Sequence, residues 1–456
     1  MRDNAIDLTQ TQILRLWLPL AAMWMFMAVE QPFMTAVIAR LEQAEVELAA
    51  FGVMFAIALA VESPVLQLLA AATALGTDRR RYRRLLRFTH ILALGLTALH
   101  LLLAATPLYA LILEHLIGAP REVIAPSRIA FLLASPFTAA VAYRRLWQGV
   151  LIRHGRTGVI PITMLARFGA MGTVLLIGYR TRVLPGAALA GLALTVGVVV
   201  GAAATWVFVR GVIDRRMPDR SEHGDEGVAA SWKGLLRFYV PLSLTSVLYL
   251  LAQPLLTVGI ARAPYPLESL AVWPVIKAYL FLFSALALSF QEVAVALLPQ
   301  PNGYHALRRF TAVLGLALSG LFVLLAATPA NTFWYTRVAG LSPRLAPFAG
   351  LPTVLLAAVP LLITVKSWFR AQHIHRRETG AIAKAVLLYS AALFAAVLAG
   401  ARILPVPGAV TAALALTFAV AVEIAYLLCT ARRPGVSRQA EPTEELLAER
   451  LEPTGK

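Results

Sequence analysis

The chain carries one pattern twice, at a constant separation of 222 residues. Residues 14–40 read LRLWLPL…QPFMTAVIAR and residues 236–262 read LRFYVPL…QPLLTVGIAR. Leu14, Arg15, Pro19, Gln31, Pro32, Thr35 and Arg40 return as Leu236, Arg237, Pro241, Gln253, Pro254, Thr257 and Arg262. The same offset relates Arg87-Phe88-Thr89 to Arg309-Phe310-Thr311, Thr106-Pro107 to Thr328-Pro329, Thr157-Gly158 to Thr379-Gly380, and Pro185-Gly186-Ala187 to Pro407-Gly408-Ala409. An offset that does not slip requires two copies of one folding unit with the same elements in the same order. A membrane protein built this way places its substrate between the copies and rocks one against the other.

Composition identifies the solvent of that unit. The chain is 59% hydrophobic and 14% charged, against about 45–50% and about 25% for a soluble domain. Mean hydropathy is +0.72. Apolar runs of 20 or more residues each suffice to cross ~30 Å of hydrocarbon at 1.5 Å per residue. They predict an all-α polytopic membrane protein with twelve spans, six per copy, at about 14–39, 47–75, 86–106, 126–151, 158–179, 185–209, 236–261, 269–298, 308–328, 348–370, 380–401 and 408–430. The expected organisation is a six-helix lobe at 1–209, a polar linker at 210–235, a second lobe at 236–430 and a charged tail at 431–456. Six crossings return the chain to its starting side, so the copies run parallel, related by an axis along the membrane normal.

The net charge of +17 is unevenly spread. One set of loops carries Arg79, Arg80, Arg81, Arg83, Arg84 and Arg87, then Arg153, Arg156, Arg210, Arg215, Arg216, Arg220, Lys233, Arg308, Arg309, Arg376 and Arg377. The opposite loops are poorer in cations and hold Glu42, Glu45, Glu114 and Glu122. The positive-inside rule then puts both termini in the cytoplasm of an inner or plasma membrane. The basic balance is topology and attraction to anionic lipid, not nucleic-acid binding. The N-terminus lacks a basic start and a cleavage site, so the first span is expected to stay. The single Cys429 excludes a disulfide framework within the chain and a CxxC site.

Ionisable side chains inside spans are costly and mark candidate sites. Glu30 precedes Gln31-Pro32 in the first span; the repeat gives Ala252-Gln253-Pro254, so the proline kink is duplicated and the carboxylate is not. Glu30 is read as a coupling or gating group, or else as a carboxyl bonded between helices. Arg167 lies mid-span, as a substrate contact or in an Arg–Glu pair, with Lys277 in the same position of choice. Arg144 and Lys366 are repeat counterparts, either lining an anion cleft or snorkelling toward the cytoplasm. Glu62 and Glu423 complete the buried acids, Glu62 with Arg167 or Lys277 as possible partners. Gln31 and Gln253 add neutral donors. His373 and His375 sit at a boundary and are expected to be solvated.

Buried cations against so few acids point to an anionic substrate held by charge-assisted hydrogen bonds. No GxxxxGK[ST], HExxH or GxSxG stands in a fitting context, so no enzyme, cofactor or metal site is read. The chain is expected to work as a monomer with a small anion, membrane lipids and a coupling ion, H⁺ or Na⁺, as partners. Two other functions stay open: a multidrug cation antiporter coupled through Glu30, and a flippase for lipid-linked phosphates. A non-transport role such as lipid scrambling is a further alternative.

Several strings carry a family resemblance: Glu30-Gln31, Met217-Pro218-Asp219-Arg220-Ser221, Leu236…Phe238…Pro241-Leu242, Gly149…Leu151…Arg153-His154, Thr364-Val365-Lys366 and Gly408-Ala409…Glu423. In order and spacing, over about 14–430, the chain resembles the progressive ankylosis (ANK) family within the multidrug/oligosaccharidyl-lipid/polysaccharide exporter superfamily, the MATE-like fold. The resemblance implies a two-lobe exporter of pyrophosphate, ATP and related nucleotides, or citrate and other carboxylates. The family pattern has Arg-Pro where this chain has Gln253-Pro254, Arg where it has Lys366 and an acid where it has Arg167, and Tyr143–Trp147 aligns only with a gap. Substrate identity is therefore the property the resemblance transfers least.

Overall fold

A computed structural model describes residues 8–215, 217–219, 231–376 and 378–431. Residues 216 and 220–230 of the expected linker and the tail from 432 lie outside the described residues. The first half comprises α1 (Gln10–Ile38), α2 (Ala44–Glu62), α3 (Leu68–Leu75), α4 (Arg79–Ala105), α5 (Leu108–Leu111), α6 (Arg121–Leu133), α7 (Phe137–Arg153), α8 (Ile160–Thr181) and α9 (Gly186–Arg215). The second comprises α10 (Trp232–Ala261), α11 (Pro266–Leu297), α12 (Gly303–Ala327), α13 (Pro329–Phe333), α14 (Ala346–Leu355), α15 (Val359–His375), α16 (Thr379–Ile403) and α17 (Gly408–Thr430). A 3₁₀ segment at Ser63–Gln67 joins α2 to α3 into one run, matched by the unbroken α11.

The repeat seen in the sequence is therefore a repeat of structure. Ten helices are long and apolar enough to cross a membrane, and two further pairs, α6 with α7 and α14 with α15, do so together across a 42° bend. Counting each bent pair as one span gives twelve among the described residues. The bends are counterparts, and so are the π turns at Ile112–Ile117 and Trp334–Val338 that follow α5 and α13. Chain alternation places Gln10 and Thr430 on the same side, here called proximal, and the π turns on the distal side.

Local chemistry sets the helix ends. Thr9 and Gln12 form a reciprocal capping box at α1, Asp78 caps α4 through the amide of Arg81, and Ser231 caps α10. Pro19 and Pro32 inside α1 are mirrored by Pro241 and Pro254 in α10. Leu94 on α4 is 70% exposed and its counterpart Leu316 on α12 is 63% exposed. Apolar side chains turned outward at matching places need hydrocarbon around them, which makes this a multi-pass membrane protein.

The halves meet through α1 on α11 and through α2 on α10 and α11. At the crossing of α2 and α11, a Cβ on Gly52 would stand 3.2 Å from Cγ of Pro274. These two residues are themselves repeat counterparts, so the pseudo-twofold axis passes between them.

Candidate functional site

Three polar groups lie within the apolar bundle. The first is on the axis. A small cavity, about 30 Å³, is lined by Gln31 with Gln253, Phe51 with Trp273, and Gly52 with Pro274, each a counterpart pair. One pair breaks the symmetry: Phe55 in the first half faces Lys277 in the second. The Lys277 ammonium donates to Oε1 of Gln253. Lys277 stands 11 residues from the start of α11, about 16 Å at 1.5 Å per residue, too deep for its head to reach water beyond the helix end.

The second group belongs to the first half. Arg167 of α8 pairs with Glu30 of α1 through Nη2 and Oε1. Its placement depends on α9: Gly197 and Gly201 let α8 approach so closely that a Cβ on Gly201 would lie 3.1 Å from Cβ of Arg167. Glu62, Arg144 and Arg145 stand within electrostatic reach of this pair. Glu62 and Arg144 are each 5% exposed. Among the described residues neither Arg144 nor Arg145 has a carboxylate within ion-pair distance, and Arg144 Nη1 lies 4.0 Å from the sulfur of Met164. Glu62 Oε2, Arg144 Nε, Arg145 Nε and Gln148 Nε2 are buried without a hydrogen-bond partner. Buried polar atoms of this kind are costly unless something else meets them.

The third group belongs to the second half. Glu423 of α17, fully buried, accepts from Arg370 and faces Lys366 at 3.5 Å. Lys366 Nζ also sits 6.0 and 5.9 Å from the rings of Tyr249 and Tyr389, which stack on each other at 5.9 Å. Ammonium over two aromatic faces is a cation–π arrangement. Arg144 and Lys366, expected at matching depth, are at matching places, but Lys366 is neutralised.

The expected site residues thus separate. Gln31, Gln253 and Lys277 share the axial cavity. Glu30, Arg167, Glu62 and Arg144 share the first half. Lys366 and Glu423 share the second. Arg167 stands in an ion pair in this structure, and its partner is Glu30 and not Glu62. Arg145, read beside Arg144 as a second cation in the same span, Tyr389, the repeat counterpart of Arg167, and Arg370 and Tyr249 join these groups; the counterpart relation of Gln148 to Arg370 is a signal for Arg370, and none marks Tyr249. His373, expected to be solvated, is buried, with Nδ1 on Glu378 (2.9 Å) and Nε2 on the carbonyl of Leu427 (3.2 Å). Two helix ends pack over it, which the boundary position in sequence did not reveal. No group of three or more His, Cys, Asp or Glu side chains among the described residues is placed to hold a metal ion.

A larger cavity, about 210 Å³, runs between α1 and α8. Met23, Phe26, Met27, Met164 and Phe168 form its walls, and the Glu30–Arg167 pair is at its floor.

No family model matches the chain, and no curated protein matches it in sequence. Solved structures do match its fold. The inward-facing conformation of a multidrug resistance MATE family transporter of the MOP superfamily superposes with a TM-score of 0.66 at 14% identity, covering 88% of this chain and 96% of that one. The lipid II flippase MurJ, in its inward closed conformation, gives 0.70 at 12% identity, over 90% and 87%. A MOP superfamily transporter from Pyrococcus furiosus, described by the reverse polarity of its binding pocket, gives 0.58 at 16% identity, over 92% and 94%. The chain has the MATE-like fold.

Proposed function

We propose that this protein is a secondary transporter that exports small organic or inorganic polyanions, such as pyrophosphate, nucleotides or citrate-like carboxylates, by alternating access between its two halves. One observation carries the reading. The three buried groups hold six cations (Arg144, Arg145, Arg167, Lys277, Lys366, Arg370) against three acids (Glu30, Glu62, Glu423), and Arg144, Arg145 and Lys277 have no carboxylate partner among the described residues. Guanidiniums bind carboxylate and phosphate through paired hydrogen bonds, strongest where water is excluded. In this reading Arg144, Arg145 and Lys277 receive the anion as the halves part, Gln31 and Gln253 contribute neutral donors, and Arg167 and Lys366 exchange their acids for it. Glu30, Glu62 and Glu423 gate the site or couple it to H⁺ or Na⁺. With both termini cytoplasmic, a trivalent anion leaving across 100 mV releases roughly 7 kcal/mol, enough to drive export without a nucleotidase. The narrower kinship to the ANK family rests on the sequence strings alone.

A second reading has its own support. The cavity between α1 and α8 joins an apolar, methionine-rich wall to a charged floor, the chemistry of an amphiphile with an anionic head, and MurJ shares the fold. A flippase for lipid-linked phosphates and a multidrug cation antiporter both fit this cavity, since multidrug MATE transporters share the fold as MurJ does. Reconstituted vesicles separate the three. Labelled pyrophosphate, ATP and citrate are offered beside a lipophilic cation and a fluorescent lipid-linked phosphate. Saturable anion flux, lost in Arg144→Ala, is expected. Flux of the cation alone, in exchange for protons, overturns the anion reading; translocation of the lipid alone moves it to the flippase.

A further inference from the structure

The offset of 222 pairs the contacts that join the halves as well as the residues inside them. On the distal side, Arg40 at the end of α1 donates from Nη2 to the carbonyls of Arg337 (2.6 Å) and Val338 (2.9 Å) in the second half's π turn. Its counterpart Arg262, at the end of α10, donates from Nη2 to the carbonyl of Leu116 (2.8 Å) in the first half's π turn. Leu116 and Val338 are themselves counterparts. Each π turn is followed by a glycine with positive φ, Gly118 at 81° and Gly340 at 77°. A Cβ on Gly340 would stand 2.6 Å from Nη1 of Arg40, and one on Gly118 would stand 3.5 Å from Cγ of Arg262. Both glycines supply the left-handed turn, and Gly340 also supplies the room for the Arg40 guanidinium.

The proximal side repeats the device with different chemistry. Trp17 of α1 donates to the carbonyl of Leu286 (3.4 Å) and to Ser289 Oγ (2.9 Å) of α11, and stands edge-on to Phe310 of α12 at 5.9 Å. Its counterpart Tyr239 of α10 donates to the carbonyl of Pro64 and stands edge-on to Phe88 of α4 at 4.7 Å. Pro64 with Leu286, and Phe88 with Phe310, are again counterparts. Trp17 and Tyr239 are buried, whereas Arg40 and Arg262 are exposed. The axial cavity lies between these two sets of ties.

We infer that Arg40 and Arg262 form a distal gate, and Trp17 and Tyr239 a proximal gate, both shut in this structure and released one at a time. The inference rests on the alternating-access reading above. The chemistry separates the gates. Water replaces the carbonyls under an exposed guanidinium readily, so the distal ties part without exposing apolar surface; the proximal ties part only if aromatic rings leave the core. Arg344, which reaches Glu45 of the first half at 3.9 Å, adds an exposed tie on the distal side.

Accessibility of the axial cavity tests this without any substrate. Thr257, which lines the cavity, is changed to Cys in a Cys429→Ser background, and right-side-out and inverted vesicles are exposed to a membrane-impermeant maleimide. Arg40→Gln with Arg262→Gln is expected to raise labelling from the distal side ~10-fold, the shift that one or two lost charge-assisted hydrogen bonds give, with no rise from the proximal side. Trp17→Phe with Tyr239→Phe, which leaves an aromatic ring at each place and removes the donors, is expected to raise proximal labelling alone. Equal changes on both sides, or none with either pair, overturn the assignment. Side-selective labelling in vesicles that move no anion keeps the gates and removes the substrate reading. Anion flux with no side selectivity does the reverse.

Discussion

The two halves solve one electrostatic problem in different ways. Each brings cations into its bundle on the fourth span, Arg144 and Arg145 on α7, Lys366 and Arg370 on α15. In the second half the balancing carboxylate, Glu423, stands on α17, buried and closed on both cations. At the counterpart position on α9 the first half has Gly201, and the space goes to the Arg167 side chain. Its carboxylate, Glu30, stands on α1 and is spent on Arg167. Arg144 and Arg145 share the electrostatic reach of Glu62, with no carboxylate at ion-pair distance among the described residues. Both clusters leave buried polar atoms unmet, Arg144 Nε and Arg145 Nε in the first half and Arg370 Nε in the second, but in the second half every cation reaches an acid, whereas in the first Arg144 and Arg145 lie beyond ion-pair distance of one. The comparison teaches that the repeat keeps one cation in place, Arg144 with Lys366, while the acids are placed independently in each half, and that the helix carrying the acid decides which cation it pairs with.

The comparison breaks most visibly at Glu423. Glu423→Ala leaves Lys366 and Arg370 buried without an acid and is expected to lower stability by about 3–5 kcal/mol, read as a large fall in thermal unfolding temperature of the purified protein in detergent. Glu30→Gln, which opens onto the larger cavity, is expected to fall clearly less in the same assay; equal losses would make the halves equivalent. Next comes Arg144→Ala, expected to weaken anion binding by about 10–100-fold, the worth of 1.5–3 kcal/mol of charge-assisted bonding, with an unfolding temperature near that of the parent; binding by calorimetry and thermal unfolding measure the two effects separately. Gly201→Ala presses on Arg167 and is expected to cost about 1 kcal/mol, measured by unfolding. Smallest is Cys429→Ser: the thiol is exposed, and the change is expected to stay within about 0.5 kcal/mol, which qualifies it as the background for labelling.

The fold was largely legible because its determinants are periodic or additive. Apolar length fixes a span whatever its neighbours, and the repeats at Gln31/Gln253 and Pro185/Pro407 fixed the register of the copies. The 42° breaks after Leu133 and Leu355 were not legible, since each falls inside a continuous apolar run. The site was legible only as a list. Depth marked Glu30, Arg167 and Lys277 as costly, but depth does not assign partners. Arg167 meets Glu30 where glycines on α9 let α8 approach closely, and Lys277 meets Gln253 of the neighbouring α10 in the axial cavity. Gly201 and Glu423 occupy one position in the two copies, and only the packed lobes reveal that a missing side chain in one is the acid of the other. Arg40 and Arg262 stood in the first repeat read from the sequence, yet the carbonyls they bind belong to π turns that no local pattern announces.

The contact of Gly52 with Pro274 also has a mechanical meaning. Gly52 and Pro274 each stand 8 residues after the distal start of a 32-residue run, Ala44–Leu75 and Pro266–Leu297, so the two beams cross off-centre, and a tilt about the crossing moves their proximal ends further than their distal ends. The fulcrum needs one partner without a side chain and one with a stiff ring, so that the beams tilt without sliding. A bulkier residue than glycine at 52 would meet the Pro274 ring and wedge the beams apart at the crossing.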